Sequence, residues 1–97
     1  MDREEYVERV LALVEQIPTG RVTTYGAIAG HIGVGGPRQV GQVMSVYGGS
    51  VPWWRVVRAD GSMPSRTAAE ARTQHLVEAT PLRASGRVDL REAFWQP

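Results

Sequence analysis

The sequence contains no cysteine and no lysine, and these two absences exclude several kinds of chemistry. Without cysteine the chain forms no disulfide, no thiolate metal site and no cysteine nucleophile. Only two histidines, His31 and His75, are present, so neither a zinc site nor any other cofactor is expected. All 11 positively charged side chains are arginines, and the planar guanidinium favours stacking and bidentate contacts with phosphates.

The length and composition predict one domain that spans residues 1–97. With 42% hydrophobic and 22% charged residues, the chain has the composition of a globular protein with a single core. No apolar run approaches the roughly 20 residues that cross a membrane. The start of the chain, Asp2 to Glu5, lacks the pattern of a signal peptide. We therefore expect a cytoplasmic protein with no membrane partner, and a monomer by default.

Charge is distributed unevenly along the chain, although the net charge is only +1. Residues 1–20 carry a net charge of −3, whereas residues 21–66 carry +4 from five arginines and one aspartate. A basic central segment favours contact with phosphates. This imbalance is common in small domains and does not by itself identify a partner.

The first helix is predicted over residues 2–17. Asp2 followed by Glu5 fits a capping box, and Pro18 ends the helix. Its inward face is an apolar stripe at helical spacing, made by Val7, Val10, Leu11, Val14 and Ile17. We expect this helix to be a scaffold, because its acidic outer face would repel nucleic acid.

Two shorter helices follow, separated by the glycine-rich residues 33–36. Thr24 is a suitable N-cap for the second helix, and Pro37 suits the first turn of the third. Two short helices joined by a tight turn predict a helix-turn-helix. The predicted buried side of the third helix consists of Val40, Val43, Met44 and Tyr47. A helical hairpin that packs only against its own domain is equally compatible with this local pattern.

The outward face of the third helix is unusually slim for a helix that reads DNA. It consists of small or flexible side chains with a single charge, namely Arg38, Gln39, Gly41, Gln42 and Ser45. Gly41 costs the helix about 1 kcal/mol relative to alanine, but it permits close approach to another surface. The minor groove, which is about 6 Å wide, would require such a slim helix.

The segment from Val51 to Val57 is the most distinctive part of the sequence. Pro52 fixes the backbone at its entrance, and Val56 with Val57 predicts a short buried strand. Neighbouring side chains of an extended chain point to opposite sides. We therefore expect one of Trp53 and Trp54 to pack inward and the other to line a surface or cavity, although burial of both in the core is an alternative.

The last third of the chain has weaker patterns. Residues 58–61 predict a turn, and residues 62–66 predict a loop. A fourth helix is expected from Ala68 to about Ala79, capped by Ser65 or Thr67. Residues 87–90 read as an edge strand, and the aromatic pair at 94–95 is expected to dock the tail.

No pattern typical of an enzyme is present. No serine lies in a nucleophile elbow, and the glycines of residues 33–36 lack the lysine of a phosphate-binding loop. A binding role is therefore favoured over a catalytic one.

Four segments, in the same order, resemble the C-terminal domain of O6-alkylguanine-DNA alkyltransferases. Residues 23–29, Thr-Thr-Tyr-Gly-Ala-Ile-Ala, are similar to the family's Thr/Ser-Tyr-Gly-x-Ile-Ala, and residues 36–44 are similar to its recognition helix. Ser65-Arg66 resembles the loop that closes over the base, and Pro-Trp-Trp-Arg-Val at 52–56 resembles Pro-Cys-His-Arg-Val. Tryptophan in place of the reactive cysteine is the mark of the alkyltransferase-like proteins. The chain departs from both groups at Trp54, where the family carries histidine, and in the short connection at 45–51.

The resemblance implies a mostly α, winged-helix-like helix-turn-helix domain with short β elements. It also implies a non-enzymatic sensor that binds double-stranded DNA containing O6-alkylguanine and signals to nucleotide excision repair proteins. The third helix would enter the minor groove, and the damaged nucleotide would rotate into a pocket. Flipping costs less for a badly paired base, which would give selectivity for the lesion.

The resemblance also assigns roles to individual residues. Arg38 would fill the vacated position in the duplex, Tyr25 would press on the adjacent phosphate, and Gly41 would permit close backbone approach. The pocket would be lined by Tyr25, Trp53, Trp54 and Arg66, with Arg66 over the flipped purine. Further phosphate contacts would come from Thr23, Thr24, Gln39 and Gln42.

Three other functions compete with this interpretation. An enzyme that removes the alkyl group without cysteine would need an activated nucleophile, and none is visible. A winged-helix regulator that reads sequence would need base-reading side chains on a major-groove helix, and the face around Gly41 has few. A protein-interaction module derived from the fold would show no DNA binding at all.

Overall fold

The computed structural model describes residues 1–97. Helix α1 covers Arg3–Glu15 and starts where predicted, because the Asp2 carboxylate accepts a hydrogen bond from the Glu5 amide at 2.8 Å. Its inward face buries Val10, Leu13 and Val14. None of the helices is both long enough and apolar enough to span a membrane.

Helices α2 (Tyr25–Ile32) and α3 (Pro37–Tyr47) form the predicted pair. Thr24 caps α2, since its hydroxyl accepts a hydrogen bond from the Ala27 amide at 3.0 Å. Gly33 ends α2 with a φ of +83°, a left-handed conformation that glycine adopts without strain. Helices α1, α2 and α3 enclose the main core, whose fully buried members include Val10, Val14, Ile28, Val40 and Val56.

The prediction that Tyr47 belongs to the buried side of α3 is wrong, because this residue is 44% exposed. The chain turns immediately after α3 into a 3₁₀ turn, Gly48–Ser50, in which Gly48 is buried. A Cβ atom on Gly48 would lie 3.2 Å from the Met44 Cε atom and 3.7 Å from the Trp53 Cβ atom. This close packing brings the Trp53 segment against the end of α3.

Two short strands, β1 (Thr23–Thr24) and β2 (Val56–Val57), pair in parallel. Thr23 is opposite Val56, and Thr24 is opposite Val57. Parallel strands need a crossover connection, and here the α2–α3 pair is that connection. Val56 and Val57 are fully buried, which confirms the predicted strand.

The C-terminal third closes the other side of the sheet. Helix α4 covers Ala68–Val77, and a short helix α5 covers Leu90–Ala93. The edge strand predicted at 87–90 is wrong: only Val88 forms an isolated bridge, and the Asp89 side chain caps α5 instead. Trp95 docks the tail as expected, since its amide donates to the Val22 carbonyl at 2.7 Å and its ring packs against the main core, whereas Phe94 is 39% exposed. The fold is therefore mostly helical with one short sheet, as predicted.

Candidate functional site

A cavity of about 330 Å³ opens between α2, α3 and the segments on either side of β2. This volume lies within the range of sites that hold small organic groups. Three of the four predicted pocket residues, together with Gly41 of α3, line this cavity. The complete lining is Tyr25, Gly41, Met44, Ser45, Gly49, Trp53, Met63, Pro64, Arg66, Thr67 and Glu70.

Tyr25 lies at the junction of this cavity with the ends of the helices. It is the first residue of α2, held in place by the Thr24 cap. Burial raises the pKa of its phenol, and the nearby Arg58 guanidinium partly offsets that rise. The hydroxyl therefore remains protonated at neutral pH and is available as a hydrogen-bond donor.

The start of α3 lies close to the start of α2. A Cβ atom on Gly26 would be 3.6 Å from the Pro37 ring, so Tyr25 and Arg38 project from neighbouring helix ends. Arg38 is exposed and forms no ion pair. An unpaired guanidinium at this point is free to contact an external partner.

The exposed face of α3 runs from this junction into the cavity. A Cβ atom on Gly41 would meet no atom within 4 Å, so the helix surface is open at that position. Gln42 is exposed beside it, and Gln39 uses its side-chain oxygen to accept a hydrogen bond from the Gly36 amide at 2.9 Å. Of the slim surface predicted for this helix, Gly41 and Ser45 line the cavity, whereas Gln39 and Gln42 line a separate depression beside residues 1–3.

Trp53 and Trp54 do not lie on extended chain, so the reason given for their divergence was wrong. Residues Trp53–Arg55 form a 3₁₀ turn, in which the Arg55 amide donates to the Pro52 carbonyl at 3.0 Å. The two indoles pack edge to face, with their centroids 5.7 Å apart and their planes at 84°. Trp53 lines the cavity, as predicted.

The assignment of Trp54 to the pocket is wrong. Its indole nitrogen donates to the Glu78 carboxylate at 3.0 Å, which directs the ring towards α4 and away from the cavity lining. Its carbonyl accepts a hydrogen bond from the His75 ring at 2.7 Å. Trp54 therefore anchors the 3₁₀ turn.

Arg55 and Glu78 complete this anchor. The guanidinium binds the carboxylate through two nitrogens at 3.1 and 2.6 Å and also donates to the Ile17 carbonyl at 2.9 Å. The Gly20 amide adds another hydrogen bond to Glu78 at 3.1 Å. Burial alone would raise the pKa of Glu78, but the hydrogen bonds from Arg55, Gly20 and Trp54 outweigh it and lower that pKa.

The predicted phosphate contact by Thr23 is also wrong. Its side chain is fully buried, and its hydroxyl reaches no polar partner. The position lies in β1 between the core and the tail, so no external phosphate can reach it. Thr24 is half-buried, and its hydroxyl oxygen accepts the capping hydrogen bond from Ala27 while its own proton stays available to donate.

Sequence reasoning missed several residues of the wall, including Met63, Pro64 and Glu70. These residues come from a loop and from the first turn of α4, whose positions depend on packing against the rest of the fold. Arg58 was also missed as a neighbour of Tyr25. It follows Val57, and Tyr25 follows Thr24, so the parallel register places the two residues side by side.

The arrangement of a slim helix, a neighbouring tyrosine and a cavity with tryptophan at its wall is that of a DNA-binding domain of the alkyltransferase type. Residues 5–80 match the family described as "6-O-methylguanine DNA methyltransferase, DNA binding domain", and the chain belongs to this family. The resemblance inferred from the motifs is thereby confirmed.

Individual relatives cover nearly all or all of the chain. A "DNA base-flipping protein" of Vibrio parahaemolyticus is 32% identical over 99 residues, covering 97% of this chain and 99% of that protein. "Alkyltransferase-like protein 1" of Schizosaccharomyces pombe is 32% identical over 108 residues, with full coverage of both chains. The crystal structure of S. pombe Atl1 in complex with damaged DNA containing O6-carboxymethylguanine matches with a TM-score of 0.86 and 31% identity, again over all of both chains.

Proposed function

We propose that this protein binds double-stranded DNA containing O6-alkylguanine and holds the rotated base in the cavity. The observation that carries the proposal is the continuity of the open α3 surface at Gly41 with a cavity walled by Tyr25, Trp53 and Arg66. A helix laid in the minor groove would bring the damaged base to the mouth of this cavity. Relatives named for base flipping, and a similar structure bound to damaged DNA, support the same function.

Each residue of the surface has a defined task in this proposal. Arg38 enters the place that the rotated nucleotide leaves, where a planar guanidinium stacks and donates hydrogen bonds. Tyr25 donates its protonated hydroxyl to the neighbouring phosphate. Arg66 lies over the purine, and the Gln42 side chain contacts a phosphate of the DNA backbone.

The protein acts by binding and leaves the alkyl group in place. Trp53 stands at the cavity wall, and an indole does not accept an alkyl group as a thiolate does. With no cysteine in the chain, the transfer chemistry of the related methyltransferases has no acceptor.

The test is a titration of two otherwise identical duplexes, one of which carries O6-methylguanine, followed by analysis of the recovered DNA. We expect clear preference for the modified duplex with the methyl group still attached. Equal affinity for both duplexes would indicate a general DNA-binding protein, no affinity for either would indicate an interaction module, and loss of the methyl group would indicate an enzyme.

We further propose that the bound protein recruits nucleotide excision repair. Persistent binding without chemistry leaves the lesion for another system to remove, which supports this role. The assay is incision of a duplex carrying O6-methylguanine by a purified excision nuclease. Addition of the protein should increase incision of that duplex and leave an unmodified duplex unchanged, whereas protection of the lesion from incision would contradict recruitment.

A further inference from the structure

The wall of the cavity contains a carboxylate that has no partner. Glu70 lies in the first turn of α4 and lines the cavity with an exposed side chain. It takes part in none of the three ion pairs of the protein and in no side-chain hydrogen bond. An acidic group at a surface that binds DNA is electrostatically unfavourable. Because Glu70 lines the cavity, its charge also acts on any group that enters the cavity.

Arg66 is the only other charged residue in the lining. The two side chains do not form an ion pair, so the guanidinium does not neutralise Glu70 by direct contact. Stacking over the purine would also direct Arg66 to the ring and leave Glu70 as the unpaired charge of the wall.

The remaining wall is suited to uncharged groups. Met44, Met63 and Trp53 offer apolar surface, and methionine adapts to substituents of different shape. A cavity of about 330 Å³ is comparable in width with the Debye length of about 8 Å at physiological salt, so salt screens a charge within it only partly.

We propose that Glu70 makes the cavity discriminate against O6 substituents that carry a negative charge, so that its preferred ligands are guanines with neutral alkyl groups. A carboxylate on the substituent would lie within the same cavity as the Glu70 carboxylate and be repelled by it. This inference rests on the proposed function. It concerns this chain only, since Atl1 was crystallised with O6-carboxymethylguanine.

Glu70 also stabilises helix α4, and the test must distinguish this effect from an effect on binding. A carboxylate in the first turn of a helix stabilises the helix through its dipole. Glu70→Gln keeps the size of the side chain and removes its charge. Urea unfolding of both proteins would detect any loss of stability, and binding is compared at a temperature where both are fully folded.

The experiment uses matched duplexes carrying O6-carboxymethylguanine or O6-carbamoylmethylguanine, which differ in charge but hardly in size. The wild-type protein should bind the neutral carbamoylmethyl lesion more tightly. Glu70→Gln should tighten binding of the carboxymethyl lesion about three- to tenfold more than it tightens binding of the carbamoylmethyl lesion. Glu15→Gln removes the same charge from the end of α1. It should leave the ratio of the affinities for the two lesions unchanged.

Equal gains by Glu70→Gln on both lesions and on unmodified DNA would overturn the proposal, because they would show general repulsion of the phosphate backbone. No gain on the carboxymethyl lesion would overturn it as well. Failure of the proposed function looks different, since the wild-type protein would then bind neither lesion better than unmodified guanine.

Discussion

Trp53 and Trp54 are neighbours in sequence, yet they serve different parts of the molecule. Trp53 lines the cavity, whereas Trp54 binds Glu78 of the segment after α4. The sequence predicted this division but assigned it to an extended chain, because Val56 and Val57 at the end of the segment are typical of a strand. The 3₁₀ turn depends on hydrogen bonds to Glu78, which lies 23 residues from Arg55, and no local pattern contains them.

Restoring the missing cysteine should not create a transferase. In Trp53→Cys the residue at position 54 is still tryptophan, and the Glu78 carboxylate is already bound by Arg55, Trp54 and Gly20. The introduced thiol would therefore lack a base to activate it. We expect no gain of an alkyl group in the intact mass of the protein after incubation with an O6-methylguanine duplex.

Trp53→Cys combined with Trp54→His is the matched comparison for this experiment. A mass increase in the double variant alone would show that Trp54 is the reason why the single variant does not accept the alkyl group. A mass increase in the single variant would contradict the expectation and show that the histidine is unnecessary in this fold.

Arg38 should contribute strongly to lesion binding, because its guanidinium is exposed and unpaired in the first turn of α3. Arg38→Ala should weaken binding of an O6-methylguanine duplex by about 10- to 100-fold, or roughly 1–3 kcal/mol. Arg38→Lys should recover little of this loss if stacking matters, since lysine keeps the charge but not the planar group. Equilibrium titration gives both values, with Arg83→Ala as the control, and unchanged affinity in Arg38→Ala would remove the intercalating role.

Helix starts were predicted well because each one depends on a few neighbouring residues. Asp2, Thr24 and Pro37 mark the starts of α1, α2 and α3 as expected. Residues 87–90 were misread because Val88 and Leu90 alternate with polar residues, while the Asp89 side chain favours a helix cap. The cavity itself depends on how α4 and its loop pack, and local patterns do not determine that.

Glu78 links α4 to the 3₁₀ turn that presents Trp53, so its charge should stabilise the site. Both Glu78 and Arg55 have largely buried side chains, 8% and 15% exposed. Glu78→Gln should lower the free energy of unfolding by about 2–3 kcal/mol, because the Arg55 guanidinium would lose its ionised partner. Urea denaturation at pH 7 measures this value, with Glu15→Gln as an exposed control.

The same ion pair predicts a pH dependence of stability. The pKa of Glu78 is lower in the folded protein than the unfolded value of about 4.3. Its contribution is therefore fully present above the unfolded pKa and is lost as the pH falls through the folded pKa. Wild-type protein should lose more stability than Glu78→Gln between pH 7 and about pH 3, and parallel curves for the two proteins would contradict this assignment.

At the scale of the whole molecule, folding brings together residues that are distant in sequence. Arg58 lies beside Tyr25 only because β1 and β2 pair in parallel, and two-residue strands give almost no signal of such pairing. The basic central segment was visible in the sequence, but its relation to the cavity was not. This is why the candidate surface was predicted in outline while individual contacts, such as those of Thr23 and Trp54, were misplaced.

Arg58 should contribute to the salt dependence of DNA binding. It is exposed, forms no ion pair and stands next to Tyr25, where a phosphate is expected. Arg58→Ala should reduce the slope of log affinity against log salt by about one, equally for modified and unmodified duplexes. Arg83→Ala serves as the control, and an unchanged slope in Arg58→Ala would place this side chain away from the DNA.

The parallel pairing of β1 and β2 also has a kinetic consequence. Residues 25–55, which hold both helices of the proposed DNA-binding surface and Trp53, form the loop that this pairing closes. Closing so long a loop has an entropic cost that must be met before its contacts are gained. Helices α2 and α3 can therefore form early, whereas the cavity takes shape only once the sheet has joined, which makes strand closure the expected slow step of refolding.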